Sequence, residues 1–233
     1  MNPLPSPETY ERELQFMPYK ESLDAVANIV YHEAPQNGRV LDLMCGPGYL
    51  IGRLSKARSD LSFLGVDIDR NYIAYANSKG YQNSKFVEAD VLTSNAIHKY
   101  DTVLCTGALH HIPYERQEEV VKHMAKIIKP EGLAIVSDCH IDKYSNEKGR
   151  KLAAAKLGYE YLAATIANGA PDDVIKATAD IIANDVLMAE FKTSIRDRLD
   201  LVEKYFKDVR VTKTWPNNRV DYGDYIITLR GVK

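Results

Sequence analysis

The run from Val40 to Leu50 constrains this chain more than any other stretch. An apolar strand carries an acid, Asp42, into a turn through Cys45, Gly46, Pro47 and Gly48, and a helix follows from Tyr49 to about Ala57. Gly46 and Gly48 have no Cβ and accept positive φ, so the backbone turns sharply and can lie against a ligand. The free N–H groups at the start of the helix point into the same turn. Strand, acid, turn and helix in that order describe a nucleotide site. A dinucleotide pyrophosphate there would be repelled by an adjacent carboxylate. Asp42 instead suits a ligand that presents an ammonium or hydroxyl groups.

The next elements repeat the pattern. Ser62 to Asp67 reads as a buried strand ending in an acid about 20 residues after the turn, the spacing at which a carboxylate reaches ribose hydroxyls. Asp69, two residues on, competes for that role. Phe86 to Val91 reads as the end of a third strand, with Asp90 as its acid. Tyr100 to Cys105 reads as a fourth, followed by Thr106, Gly107, Ala108, Leu109, His110 and His111. Singly, Asp42 and Asp67 have a plainer reading as helix caps, and Asp90 as a solvated strand end. Three acids at one edge of a parallel sheet favour a site, because ligands bind beyond the carboxyl ends of such strands.

The stretch Val40 to Leu50 resembles the first motif of class I S-adenosylmethionine-dependent methyltransferases, hydrophobic-Leu-Asp-Leu-Gly-Cys-Gly-x-Gly, and departs from it at Met44, where the family usually has its first glycine. The run from Thr106 to Ile112 resembles the loop after the fourth strand in the small-molecule members. The resemblance covers roughly residues 36 to 142 and 193 to 233. It implies S-adenosylmethionine as cofactor, with S-adenosylhomocysteine as product, held by Asp42, Cys45, Gly46 and Gly48 in the first turn. It further implies Asp67 at the ribose, Asp90 at the adenine amino group and His111 beside the methionine moiety, with Ile68, Val91, Thr106 and Gly107 also binding the cofactor. Tyr19, with Tyr10, is expected to close over the cofactor from the N-terminal segment.

Alternation of strands and helices predicts a doubly wound, mostly parallel sheet with helices on both faces. The resemblance makes it seven-stranded, ending in an antiparallel hairpin. Residues 1 to 35 precede it as a helical cap, in which Pro3, Pro5 and Pro7 predict an extended start and Leu23, Val26, Ile29 and Val30 recur at helical spacing. Asn37-Gly38 is the turn into strand one. The core, residues 36 to 142, includes helices at about 70 to 79 and 115 to 129, the latter stopped at Pro130-Glu131-Gly132 before a fifth strand over Leu133 to Asp138. Residues 143 to 192 are helix without strand. Leu152, Ala155, Leu162 and Ile166 predict one apolar face. Ile175, Ala179, Ile182 and Val186 predict another, on a helix begun by Pro171, Asp172 and Asp173. Placed after strand five, this insertion reads as a lid over the cofactor edge, with a homodimer surface as its other reading. Residues 193 to 233 complete the core, with a helix near Ser194 to Phe206 and a hairpin of Val209 to Trp215 and Tyr225 to Arg230, joined through Pro216, Asn217 and Asn218.

Composition excludes several classes. The chain has 233 residues, 45% hydrophobic and 27% charged, with a formal charge of −2 and no dense Lys/Arg block. It therefore shows no electrostatic footprint for nucleic acid. Three cysteines without a C-x-x-C pair exclude a disulfide framework or a thiolate zinc site. No apolar run is long enough to span a membrane and no signal pattern is seen at the N-terminus, so the expected location is cytoplasmic. Methyl transfer from a sulfonium needs an apolar, water-poor site, fixed geometry and an acceptor that loses a proton. The candidate bases are His140, His111 and His110, with His140 preferred and His111 read chiefly as cofactor lining. The Asp138-x-His140-x-Asp142 spacing puts three polar groups on one side of an extended segment. No metal is expected, since transfer to an amine or carbon needs none. The Asn/Asp-Pro-Pro-Tyr run of enzymes that methylate bases or glutamine is absent, which favours a small-molecule O, N or C acceptor. Two other classes compete: an NAD(P)-dependent oxidoreductase, suggested by Gly46-x-Gly48-x-x-x-Gly52, and a non-catalytic cofactor-binding adaptor of the same fold.

Overall fold

The computed structural model describes residues 5–92, 99–187 and 190–233; Pro3 lies outside them. Strands β1 (Arg39–Leu43), β2 (Ser62–Asp67), β3 (Ser84–Glu88), β4 (Tyr100–Thr106), β5 (Ile128–His140), β6 (Phe206–Trp215) and β7 (Gly223–Val232) form one sheet in the order β3-β2-β1-β4-β5-β7-β6. The pairs among β1 to β5 are parallel, whereas β7 runs antiparallel to both β5 and β6. Both faces of the central strands are covered, as parallel strands require. Val40, Leu104, Ile135 and Ile226 pack toward α2 (Tyr19–Glu33) and α3 (Tyr49–Ala57). Leu43, Val103, Val136 and Ile227 pack toward α5 (Tyr114–Ile127) and α8 (Ile195–Val202). Each fully buried Leu or Ile of these layers contributes about 1.5–3 kcal/mol.

Caps set the helix starts that matter for the site. Asp69 accepts from the N–H groups of Asn71 (2.7 Å) and Tyr72 (3.0 Å) at the start of α4 (Arg70–Ser78), so it serves as a cap rather than competing with Asp67. Asn146 caps α6 (Glu147–Ala167) and Ser194 caps α8.

Several expected boundaries move. Pro7 opens a helix, α1 (Pro7–Glu13), instead of extending the chain: Ser6 caps it, and proline at N1 gives up an N–H that has no helical partner there. The third strand ends at Glu88, so Asp90 stands two residues beyond it. Pro130 and Gly132 lie inside β5, where the register jumps from Tyr100↔Ile128 to Thr102↔Leu133; a bulge accommodates the residue that cannot donate. The last helix stops at Val202 and Phe206 already belongs to β6. In α6 the apolar face is not the expected one. Leu152 and Ile166 are exposed, while Ala153, Ala154, Leu157 and Gly158 are buried. Small residues let α7 (Asp172–Val186) approach closely: a Cβ on Gly158 would stand 2.7 Å from Ile182 Cγ1. Among the described residues no helix is long and apolar enough to cross a membrane.

Met44 takes φ +58°, in the left-handed region, which explains why the related motif places glycine there. Met44→Gly should be about 1 kcal/mol more stable than Met44→Ala in urea unfolding, because both lose the side-chain contacts and only glycine relaxes the backbone. Equal stabilities would show that this residue carries no strain.

Candidate functional site

The turn after β1 is tied to the end of β2. The Cys45 N–H donates to Val66 O (3.0 Å) and the Gly46 N–H to Asp67 Oδ2 (2.8 Å), while Asp67 Oδ1 accepts from the Asp69 N–H (2.8 Å). Gly46 and Gly48 both take positive φ. At Gly48 a Cβ would meet Phe86 at 2.7 Å, whereas at Gly46 the nearest atom would be Tyr72 Cδ2 at 3.9 Å. Gly48 is therefore required by packing, and Gly46 leaves its face of the turn open.

Asp42 lies one residue before the end of β1 and is 1% exposed; its Oδ1 has no hydrogen-bond partner among the described residues. Burial, with Asp67 nearby, raises its carboxyl to about 7. Burial also raises Asp67, and the backbone donors that hold it oppose the rise. Ile68, next to Asp67, is 69% exposed, an apolar side chain left outside the core. Asp90 accepts from the Leu92 N–H (2.8 Å), and Val91 is buried.

The strand-four loop adds Thr106 and Gly107. Gly107 takes φ +60°, donates to Ser137 O (2.7 Å) and has Tyr19 Oη where a Cβ would stand. Tyr10 is packed near Asp42, Asp67 and Cys45, and burial raises its hydroxyl well above the usual range. Both tyrosines thus reach the strand edge from the N-terminal segment. Helix α1 is held there by Tyr72 Oη on Pro5 O (3.0 Å), Tyr75 Oη on Glu11 (2.8 Å) and an Arg12–Asp173 ion pair (2.7 Å) to α7.

The histidines separate. His140 is fully buried, with Nδ1 3.3 Å from Thr193 O and its ring against Tyr225; burial, then Arg198, lowers it to about 3. Strand alternation puts it on the face opposite Asp42, the face that also carries Asp138. His110 and His111 occupy a 3-10 turn, Leu109–His111, with rings 4.1 Å apart. His110 Nδ1 bonds Asp138, its backbone N–H donates to the same carboxylate (3.1 Å), and its Nε2 lies 3.5 Å from Glu190. Burial works against its charge, but Asp138 and Glu190 outweigh it and raise His110 well above the ordinary imidazole range. His111 is the more exposed ring, with Nδ1 3.9 Å from Glu190. The segment carrying Glu190 and Lys192 is stitched to this turn by Phe191 N–H on His110 O (2.7 Å) and Gln117 Nε2 on Phe191 O (2.9 Å).

Sequence reasoning missed two acids, Glu190 beside the histidine turn and Asp224. Asp224, the second residue of β7, is 1% exposed, accepts from Tyr161 Oη of α6 through Oδ2, and leaves Oδ1 without a partner among the described residues. Burial raises it to about 7. Its signal was an acid directly before the apolar run Tyr225 to Leu229. Beside the site, a cleft of about 710 Å³ is lined by Glu11, Gln15, Tyr49, Arg53, Lys79 and Tyr81, and by none of these buried acids.

Residues 40–132 match a family model described as a methyltransferase domain. The ubiquinone biosynthesis O-methyltransferase of Bordetella avium is 27% identical over 139 residues, 58% of this chain and 54% of that protein. The carboxy-S-adenosyl-L-methionine synthase of Campylobacter lari is 26% identical over 52% of each. The chain spans about half the length of the curated relatives it matches. Two solved structures share the fold. Magnesium protoporphyrin IX methyltransferase from Synechocystis with bound S-adenosylhomocysteine has a TM-score of 0.61 at 20% identity, covering 92% of this chain and 84% of that one. The N-methyltransferase NodS from Bradyrhizobium japonicum, also with S-adenosylhomocysteine, has a TM-score of 0.62 at 10% identity over 92% and 88%.

Asp42 gives a test of the electrostatics. Its carboxyl is near 7 when folded and about 4 when unfolded, so between those values the folded state binds more protons. Its contribution to stability is present below pH 4 and is lost as pH rises to 7. Asp42→Asn should therefore gain on the wild type between pH 4 and pH 8 by on the order of 4 kcal/mol in denaturant titrations, about 1.4 kcal/mol for each pH unit between the two values. A difference independent of pH would mean that Asp42 is not a desolvated, unpaired carboxylate.

Proposed function

We propose that this chain, whose residues 40–132 match the methyltransferase-domain model, is a class I methyltransferase that binds S-adenosylmethionine at the turn after β1 and methylates a small-molecule O, N or C nucleophile. The observation that carries this reading is Asp42, a buried carboxylate with an unpartnered oxygen beside an open glycine turn. Such a group is costly unless a cationic or hydrogen-bonding ligand completes it. The cofactor's amino group meets that need, and the residues present fit the rest. Asp67 keeps lone pairs for ribose hydroxyls beyond its two backbone donors, and exposed Ile68 offers an apolar surface to the adenine. Asp90 and Val91 follow at the adenine edge, while Thr106, Gly107, His111 and Tyr19 line the methionine side.

When bound, the cofactor supplies an electrophilic methyl on a sulfonium. The chain's part is to orient and to exclude water. Tyr10 and Tyr19 cover the strand edge, and α6 with α7 form a lid on the acceptor side. His110, held protonated between Asp138 and Glu190, serves as a fixed cation rather than as a base. His111, exposed at the same turn, is the histidine able to meet an acceptor. The exposed α6 residues Leu152, Tyr159 and Ile166 recur every seven positions and supply the surface for a homodimer.

Asp67→Ala should weaken S-adenosylhomocysteine binding in calorimetry by about 1–3 kcal/mol, through loss of charge-assisted hydrogen bonds and of the bond that orients Gly46. Stabilisation of the wild type by NAD(P) and not by S-adenosylhomocysteine in thermal-shift titration would overturn the reading.

A further inference from the structure

Asp224 is a second buried carboxylate with the same defect as Asp42, on the same face of the sheet. The rungs establish this. Asp42 pairs with Leu104, Leu104 with Ile135 and Ile135 with Thr228. One step toward the carboxyl edge come Thr106, Ser137 and Ile226, and one step further Cys139 and Asp224. Side chains two apart along a strand share a face, so Asp42, Thr106, Ser137 and Asp224 descend a single polar border. Asp224 stands at its far end, under the insertion and away from the first turn.

Its surroundings are aromatic and rigid. Tyr161 of α6 donates to Oδ2 and meets the Trp215 ring edge-on at 4.7 Å between centroids. The backbone of Asp224 is pinned through its carbonyl by Thr214 Oγ1 (3.2 Å), which bonds Ser22 of α2 at 2.6 Å. No cation contacts Asp224 among the described residues; Lys192, which is paired with Asp185 and Glu190, and His110 act on its charge only from a distance. The nearby Lys213 is committed elsewhere, to Tyr222 O and to Tyr225 Oη at 3.0 Å. A buried carboxylate beside two aromatic side chains, with one oxygen unpartnered and no cation in contact, is the chemistry that recognises an ammonium group, through charge and through the rings.

We propose that Asp224, with Tyr161 and Trp215, forms the acceptor subsite and that the acceptor is an amine bound as its ammonium ion. This rests on the methyl-transfer reading above. The ammonium gives one N–H proton to Asp224, whose raised carboxyl makes it a competent proton acceptor near neutrality. The freed lone pair forms the N–C bond as the cofactor's S–C bond breaks, the sulfonium becomes a thioether, and the N-methylated product leaves as a cation. Asp224 then returns its proton to solvent.

Trp215 is the single tryptophan of the chain, so its fluorescence reports on this subsite directly. Benzylammonium should quench it saturably, at least tenfold more tightly than benzyl alcohol, which has the same ring and no charge. Asp224→Asn should weaken the benzylammonium response about tenfold or more while leaving S-adenosylhomocysteine affinity unchanged. Equal responses to amine and alcohol, no saturable response, or full retention in Asp224→Asn would each overturn the proposal. The wild-type comparison decides even if the variant fails to fold. Titrations with and without S-adenosylhomocysteine keep the two readings apart: loss of S-adenosylhomocysteine binding counts against the cofactor site, and loss of amine discrimination against this subsite alone.

Discussion

The hydrogen bond from the Gly46 N–H to Asp67 organises the site. It fastens the turn after β1 to the last residue of β2, with Cys45 N–H on Val66 O as its backbone partner. Two strands that pair only through backbone bonds would leave their terminal loops free to diverge. Here the acid that ends one strand is spent on ordering the loop that ends the other. The start of α3, the open side of Gly46 and the position of Asp42 all follow from that tie. Its cost is visible in the backbone, where three residues, Met44, Gly46 and Gly48, take positive φ within five positions.

Two kinds of buried carboxylate then divide the labour. Asp138 and Glu190 flank the ring of His110, and they hold the loop after β4 to β5 on one side and to the segment after α7 on the other. Such pairs give position more than stability, since desolvation consumes much of their attraction. Asp42 and Asp224 are unsatisfied and share one sheet face. An unpaired buried charge makes a fold less stable, so its presence points to a partner outside the chain.

Much of this was legible in the sequence, for physical reasons that differ by residue. The β1 turn and the acids Asp42 and Asp67 could be read because backbone geometry demands glycine and because strand ends fall where apolar runs stop. The α6 face could not. Leu152 and Ile166 obey the helical period, but close approach of α7 selects small residues, and Ala153, Ala154 and Gly158 took the interface instead. For His140, proximity to the strand end was readable, whereas the face it uses depends on register, which comes from tertiary pairing. Asp224 was hidden for a related reason. Nothing local distinguishes an acid that starts an antiparallel strand from one that ends a loop.

The Arg12–Asp173 ion pair joins helices 161 positions apart, one from each cap over the strand edge. Both side chains are more than half exposed, so the pair is worth at most about 1 kcal/mol. A contact that weak joins the N-terminal helix to the insertion without locking either: the two can part at a cost close to thermal energy, and the sheet beneath does not depend on their staying together.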